Sequence, residues 1–222
     1  VVGGRTRVAG DLGPGSGYTL FLDSVEVYSP VTGRWSSAQS MRNRRGGHTT
    51  SLLADGRVLV AGGRILTEFK AEGEHRDIIY LSSTEMYDPS TDRWSEVERM
   101  PESRWDHTAT VLQDGRVLVT GGFNGQDEPL AAADIYDPAS GRWTSAGRLM
   151  DGREGHEALL MSDGRVMVVG GWDTELVEVY DPATGEWSAA GALTESAAVP
   201  AVATLPDGKV MVAGGLGQQE SL

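Results

Sequence analysis

The sequence predicts an all-β protein, a β-propeller of repeated four-stranded antiparallel blades, and three observations predict it. First, a Tyr, a Trp seven residues later and a Gly-Gly pair 27 residues beyond the Trp recur four times without a change in spacing. The sets are Tyr28, Trp35 and Gly62; Tyr87, Trp94 and Gly121; Tyr136, Trp143 and Gly170; Tyr180, Trp187 and Gly214. A fixed period of this size marks stacked supersecondary units. Second, all length variation falls between the Gly-Gly and the next Tyr, a gap of 25, 25, 15 and then 10 residues. Third, each block divides into short apolar runs separated by turn dipeptides, with no helical periodicity anywhere.

The first strand of a repeat, residues 48–53 in the earliest full copy, leads into Asp55-Gly56, and Asp114-Gly115, Asp163-Gly164 and Asp207-Gly208 recur at the same place. Two residues able to take positive φ between apolar runs are a strong hairpin signal. The second strand (residues 57–61, 117–120, 166–169 and 210–213) is apolar without alternation, as for a strand covered on both faces. Its closing Gly-Gly permits a sharp turn or close backbone approach. The third strand, as in Val25-Glu26-Val27-Tyr28, alternates apolar and polar and ends at an Asp-Pro turn (Ser29-Pro30 in the first copy). The fourth carries the Trp.

These repeats imply one domain over residues 1–222: a half-blade at 1–40, blades at 41–99, 100–148 and 149–192, and a half-blade at 193–222. The N-terminal half is expected to lack strands one and two, and the C-terminal half strands three and four. Pairing these ends would close a ring of four blades, the lower limit of the usual range. Val1-Val2-Gly3-Gly4 argues against closure, because it reads as the tail of a further repeat. Otherwise the unpaired edges invite self-association.

The pattern Arg-x-x-His, apolar strand, Asp-Gly, Val-x-Val-x-Gly-Gly, acid-x-Tyr-Asp-Pro-x-Thr-x-x-Trp resembles the kelch repeat over nearly the whole chain. The wording Asp-Gly-Arg-Val-Leu-Val-Ala-Gly-Gly is similar to bacterial kelch proteins more than to animal scaffold proteins. The resemblance implies a kelch β-propeller acting as a binding module. Some kelch folds are enzymes that depend on particular residues. Galactose-oxidase-like copper chemistry uses a Tyr cross-linked to Cys, and the chain has no Cys. Iron-dependent specifier proteins use Glu, Asp and His at four-residue steps. Here Ala71 and Thr67 precede His75, and Ser103 and Arg99 precede His107. Epimerase-like activity relies on dispersed residues and leaves no local signature. The expectation is a non-enzyme without cofactor.

Composition narrows the partners. A net charge of −13 disfavours nucleic acid and anionic membrane surfaces. No apolar run approaches the ~20 residues that span a bilayer. The lack of Cys leaves the redox compartment open. Alternating strand direction puts the Gly-Gly-to-Tyr insertions (residues 5–25, 64–84, 123–133 and 172–177) on one face, which is therefore the expected binding face. A protein partner or a glycan is the expected ligand.

Three features on that face are candidates. Arg45/His48, Arg104/His107 and Arg153/His156 either ring the channel mouth as anion-binding forks or lock neighbouring blades; the fourth copy has Ala197 and Pro200 instead. Trp105, Trp172, Phe123 and Asn124, with Tyr18 and Phe21, lie outside the repeat pattern and either form a stacking surface or pin their own loops. Glu72, Glu74, His75 and Asp77 form a mixed-charge run without the fixed spacing of a metal site, and read as a solvated loop.

Overall fold

A computed structural model describes residues 1–9, 17–67, 77–126 and 128–217. All regular structure there is β. The strands are β1 (Val2–Ala9), β2 (Gly17–Ser29), β3 (Arg34–Ala38), β4 (Thr49–Leu52), β5 (Val58–Ala61), β6 (Arg64–Leu66), β7 (Ile78–Tyr80), β8 (Thr84–Asp88), β9 (Arg93–Val97) and β10 (Thr108–Val111). They continue as β11 (Val117–Thr120), β12 (Ala132–Asp137), β13 (Arg142–Arg148), β14 (Glu157–Leu160), β15 (Val166–Val169), β16 (Leu176–Asp181), β17 (Glu186–Ala192), β18 (Ala201–Thr204) and β19 (Val210–Ala213). Three antiparallel sheets have four strands each, in the orders β4-β5-β8-β9, β10-β11-β12-β13 and β14-β15-β16-β17. β18 and β19 form a hairpin, and β6 and β7 form a small arm on the insertion face.

Blades stack through a repeated contact. The Tyr and Trp of one blade face each other across the outer strand pair, as Tyr87 does Trp94 and Tyr136 does Trp143. The pair then seats on the preceding sheet: Tyr136 packs among Leu53, Leu59, Met86 and Met100, and Tyr180 among Leu112, Leu118 and Leu149. The Trp indole N–H completes the seat by donating back to that sheet, Trp94 to the Gln39 carbonyl, Trp143 to Glu98 and Trp187 to Ala146. Each aromatic buries on the order of 150–250 Å², so this contact supplies much of the apolar stabilisation between blades.

The second strands of the complete blades are covered on both faces, as their unbroken apolar runs predict, and all four residues of β11 are buried; β19 has the same apolar run but stands in a two-stranded sheet and leaves Met211 48% exposed. The Gly-Gly that follows is required twice over. Gly121 and Gly122 have φ of 60° and 95°, and a Cβ on Gly121 would collide with the Arg153 carbonyl. The alternation of the third strand has a different meaning from the usual solvent face. Glu85, Asp134 and Glu178 are buried with their apolar neighbours.

The N-terminal sheet has three strands, β1-β2-β3, where two were expected. Val2 pairs with Val25, the position at which Ala61 pairs with Thr84, so Val1 and Val2 are the tail of a second strand. They occupy the edge of β2 that β19 would need for ring closure, and β18-β19 remains a separate two-stranded sheet. Closure by pairing the two half-blades is therefore not the observed arrangement.

Candidate functional site

The Arg-x-x-His segments enter the first strands on the insertion face. Arg45, Arg104 and Arg153 are each 0% exposed. Arg45 donates to the Gly62 and Ser83 carbonyls and to the Glu85 carboxylate. Arg104 reaches the Gly121 and Ala132 carbonyls and Asp134, at 2.6 Å. Arg153 reaches the Gly170 and Leu176 carbonyls and Glu178. Each guanidinium thus ties three strands of its own blade, with its charge matched inside. The three arginines do not form an anion-binding ring at the mouth, because a dissolved ligand cannot reach them.

The histidines act between blades. His107 Nε2 lies 3.0 Å from Thr49 Oγ1 of the preceding blade, and His156 Nε2 lies 3.0 Å from Thr108 Oγ1. His48 Nε2 is 3.0 Å from the Val2 carbonyl, which only accepts, so His48 is protonated there. Burial, then the neighbouring Arg45 or Arg153 charge, pushes His48 down to about 4 and His156 down to about 3. Burial likewise holds His107 well below its ordinary value. All three are neutral structural groups at physiological pH.

A second inter-blade belt lies two residues after each arginine position. Asp106 N–H donates to the Gly47 carbonyl, Gly155 N–H to Asp106 and Val199 N–H to Gly155. All four residues adopt positive φ, between 52° and 63°. Gly suits that region, Asp tolerates it, and for β-branched Val199 it is strained. The residue types Gly, Asp, Gly and Val share no letter, so the belt was not legible in the sequence.

Asp106, Gly155 and Val199 of the belt line a cavity of about 320 Å³ together with Thr49, Thr50, Thr108 and Glu157. Glu157 carries a carboxyl raised by burial. At the rim the Arg64 guanidinium carbon stacks 3.3 Å from the centre of the Trp105 ring. The same indole lies close to Gly47, where a Cβ would meet it at 2.8 Å. Trp105 is consequently half-buried and held by Arg64 and Gly47. Its backbone pairs with Phe123, whose ring packs edge-on against Tyr80 at 5.8 Å. Asn124 uses its side-chain oxygen to accept the Gln126 N–H within its own loop. Phe21 is buried against Gly46. Trp172 differs: its backbone N–H donates to the Glu154 carbonyl, its indole edge rests on Gly155, and 39% of it is exposed. Glu154 has a raised carboxyl, from burial first and then Asp106, and one oxygen without a hydrogen-bond partner.

Of the candidate site residues, the structure brings Trp105 and Phe123 together at the rim, keeps Asn124 in its loop and buries the three arginines. Arg64 and Glu154 join the rim without having been singled out. Of the mixed-charge run, only Asp77 lies within the described residues; it closes the β6-β7 arm through two backbone-directed bonds with Thr67. The acids that hold the arginines, Glu85, Asp134 and Glu178, were visible as a recurrence two residues before the repeat Tyr, a position that Glu26 fills in the first copy without an arginine beside it.

Four-stranded antiparallel blades, locked by a buried Arg–acid pair and seated by a Tyr–Trp pair, define this as a β-propeller repeat protein. The "KLHDC2/KLHL20/DRC7 Kelch-repeats domain" model matches residues 1–215, and the chain belongs to the kelch-repeat family. It is 30% identical to Kelch-like protein 25 of Xenopus tropicalis over 122 residues, 55% of this chain and 18% of that protein. It is 31% identical to human Kelch-like protein 24 over 127 residues, 57% and 17% of the respective chains. The matched region is thus less than a fifth of either relative. Both come from animals, so the bacterial flavour of the wording finds no support in them. The solved structure of YjhT superimposes with a TM-score of 0.70 at 16% identity, covering 95% of this chain and 75% of that one, a likeness of fold.

Proposed function

We propose that the chain is a non-catalytic binding module that presents the insertion face and the mouth of its central cavity to a protein partner. The observation that carries this reading is Trp172, an aromatic left 39% exposed on a rim whose other groups are held rigidly. A part-exposed Trp beside a fixed Arg64–Trp105 stack suits a protein hot spot, where rigid aromatic and Arg groups concentrate affinity. Phe123 and Asn124 serve by shaping the rim. Membership of a family with Kelch-like proteins supports an interaction role, and the buried arginines remove the case for an acidic ligand gripped by them.

The test is selection of binding peptides from a displayed library, run beside a glycan array. Peptides recovered at micromolar Kd should lose about tenfold, ~1.4 kcal/mol, on Trp172→Ala or Arg64→Ala. Sugar binding lost on Trp172→Ala, with no peptide recovered, would replace this reading with glycan recognition. Indifference to both substitutions would remove the rim as the site.

A further inference from the structure

The first residues of β4, β10 and β14 occupy one position of the repeat: Thr49 pairs with Ala61, Thr108 with Thr120 and Glu157 with Val169. At two of the three, the side chain is engaged by the next blade. Thr49 Oγ1 lies 3.0 Å from His107 Nε2, and Thr108 Oγ1 lies 3.0 Å from His156 Nε2. At the third, Pro200 stands where the next His would stand and offers no side-chain donor. Glu157 therefore carries a charge where its counterparts carry a lock. β14 lies between β10 and β18, so Glu157 is flanked by described strands on both sides.

Glu157 lines the cavity of about 320 Å³. Burial alone raises its carboxyl, and no counter-charge offsets that among the described residues. A desolvated carboxylate gains most from a cation brought to it. The nearby guanidinium groups are committed elsewhere: Arg45, Arg104 and Arg153 to the acids inside their blades, and Arg64 to the Trp105 ring. Glu154 adds a second carboxyl raised by burial and by Asp106 despite Arg64, with one buried oxygen lacking a hydrogen-bond partner. A Cβ on Gly155 would touch both Trp172 and Val199, so the part-exposed indole stands beside the cavity wall. An aromatic face next to carboxylates suits a cation. The volume lies at the low end of the roughly 300–1,000 Å³ of ligand pockets, which suits one side chain rather than a chain segment.

We propose that this cavity receives one lysine or arginine side chain from a segment of the protein partner, with Glu157 as its counter-ion and Trp172 against its stem. The assignment rests on the partner reading above and gives that partner its chemistry, which is basic. The net charge of −13 attracts such a segment from a distance.

Two displayed peptide libraries test it at physiological salt, one containing Lys and Arg and one from which both are excluded. Binders are expected from the first alone, sharing a Lys or Arg whose replacement by Met weakens Kd about tenfold or more. Glu157→Gln should weaken the cationic peptide as much, and the Met-substituted peptide no further. Glu186→Gln, an equal loss of charge at an exposed position of β17, should leave Kd unchanged. Because Glu157 is desolvated and unpaired, Glu157→Gln should also hold or raise the midpoint of urea unfolding. Cation-free binders that ignore Glu157→Gln would overturn the proposal and leave the rim as the partner's site. Equal losses from Glu157→Gln and Glu186→Gln, or a lowered midpoint, would also overturn it. Spermidine binding more tightly than the peptides would make a free polyamine the ligand and overturn the assignment to a protein segment. Binders from neither library would remove the partner reading along with it.

Discussion

The junction between the second and third complete blades and the junction before the β18-β19 hairpin have the same backbone geometry and different chemistry. Both have a Gly-Gly donor to the next segment and the same positive-φ belt. At the first, Arg153 is sealed against Glu178, His156 bonds Thr108, and Trp187 donates to Ala146. At the second, Ala197, Pro200 and Glu157 replace those polar groups, and the apolar surface stays open. The difference teaches that backbone hydrogen bonds set the stacking geometry while the buried polar set seals a blade.

The sharpest way to break the comparison is to make a sealed blade resemble the open one. Arg104→Ala leaves Asp134, 6% exposed, without its cation, and should cost about 3–5 kcal/mol in urea unfolding. Ala197→Gly at the open junction should cost under about 1 kcal/mol. Next, Trp94→Ala removes a 9% exposed ring and its bond to Gln39, for a loss of about 3–5 kcal/mol. Trp35→Ala, at an unseated repeat Trp, should be nearly silent in the same assay.

pH sharpens the role of the histidine lock. His48 and His156 are depressed to about 4 and about 3, below the ~6.5 of an unfolded His. The unfolded chain therefore binds more protons as pH falls, so this contribution is full above about 6.5 and declines down to about 4 for His48 and about 3 for His156. Carboxyls raised by burial at Asp134, Glu154 and Glu157 oppose this slope at its acid end. The direct measure is the difference between His156→Gln and the unaltered chain, and its slope between pH 6.5 and 4 should be shallower in the variant. At the belt a gain is expected instead: Val199→Gly should relieve positive-φ strain at 52° and raise stability by about 1 kcal/mol.

Much of the fold was legible because repetition averages over local ambiguity. The Asp-Gly turns, the apolar second strands and the Tyr–Trp spacing each recur, and each has a local physical cause. The site was legible only in part. Trp105 and Trp172 stood out as aromatics outside the repeat, yet nothing local says that Arg64, 41 positions before Trp105, covers one ring while Gly155 leaves the other half open. The arginines were visible as a set, but their direction depends on acids some 25–40 residues away, as with Arg153 and Glu178 or Arg45 and Glu85.

The sequence alone determined the all-β class, the blade period, the face that carries the insertions and the break in the Arg-x-x-His series at Ala197. These follow from turn chemistry, strand patterning and counting, which act over a few residues. Only the tertiary structure decided that the arginines point into their blades, that the histidines lock neighbours, and that Val1 and Val2 hold the edge needed for closure. Those outcomes depend on which distant carboxylate, carbonyl or strand edge lies within about 3 Å, the reach of a hydrogen bond. Spacing along the chain does not fix that distance until the blades are stacked.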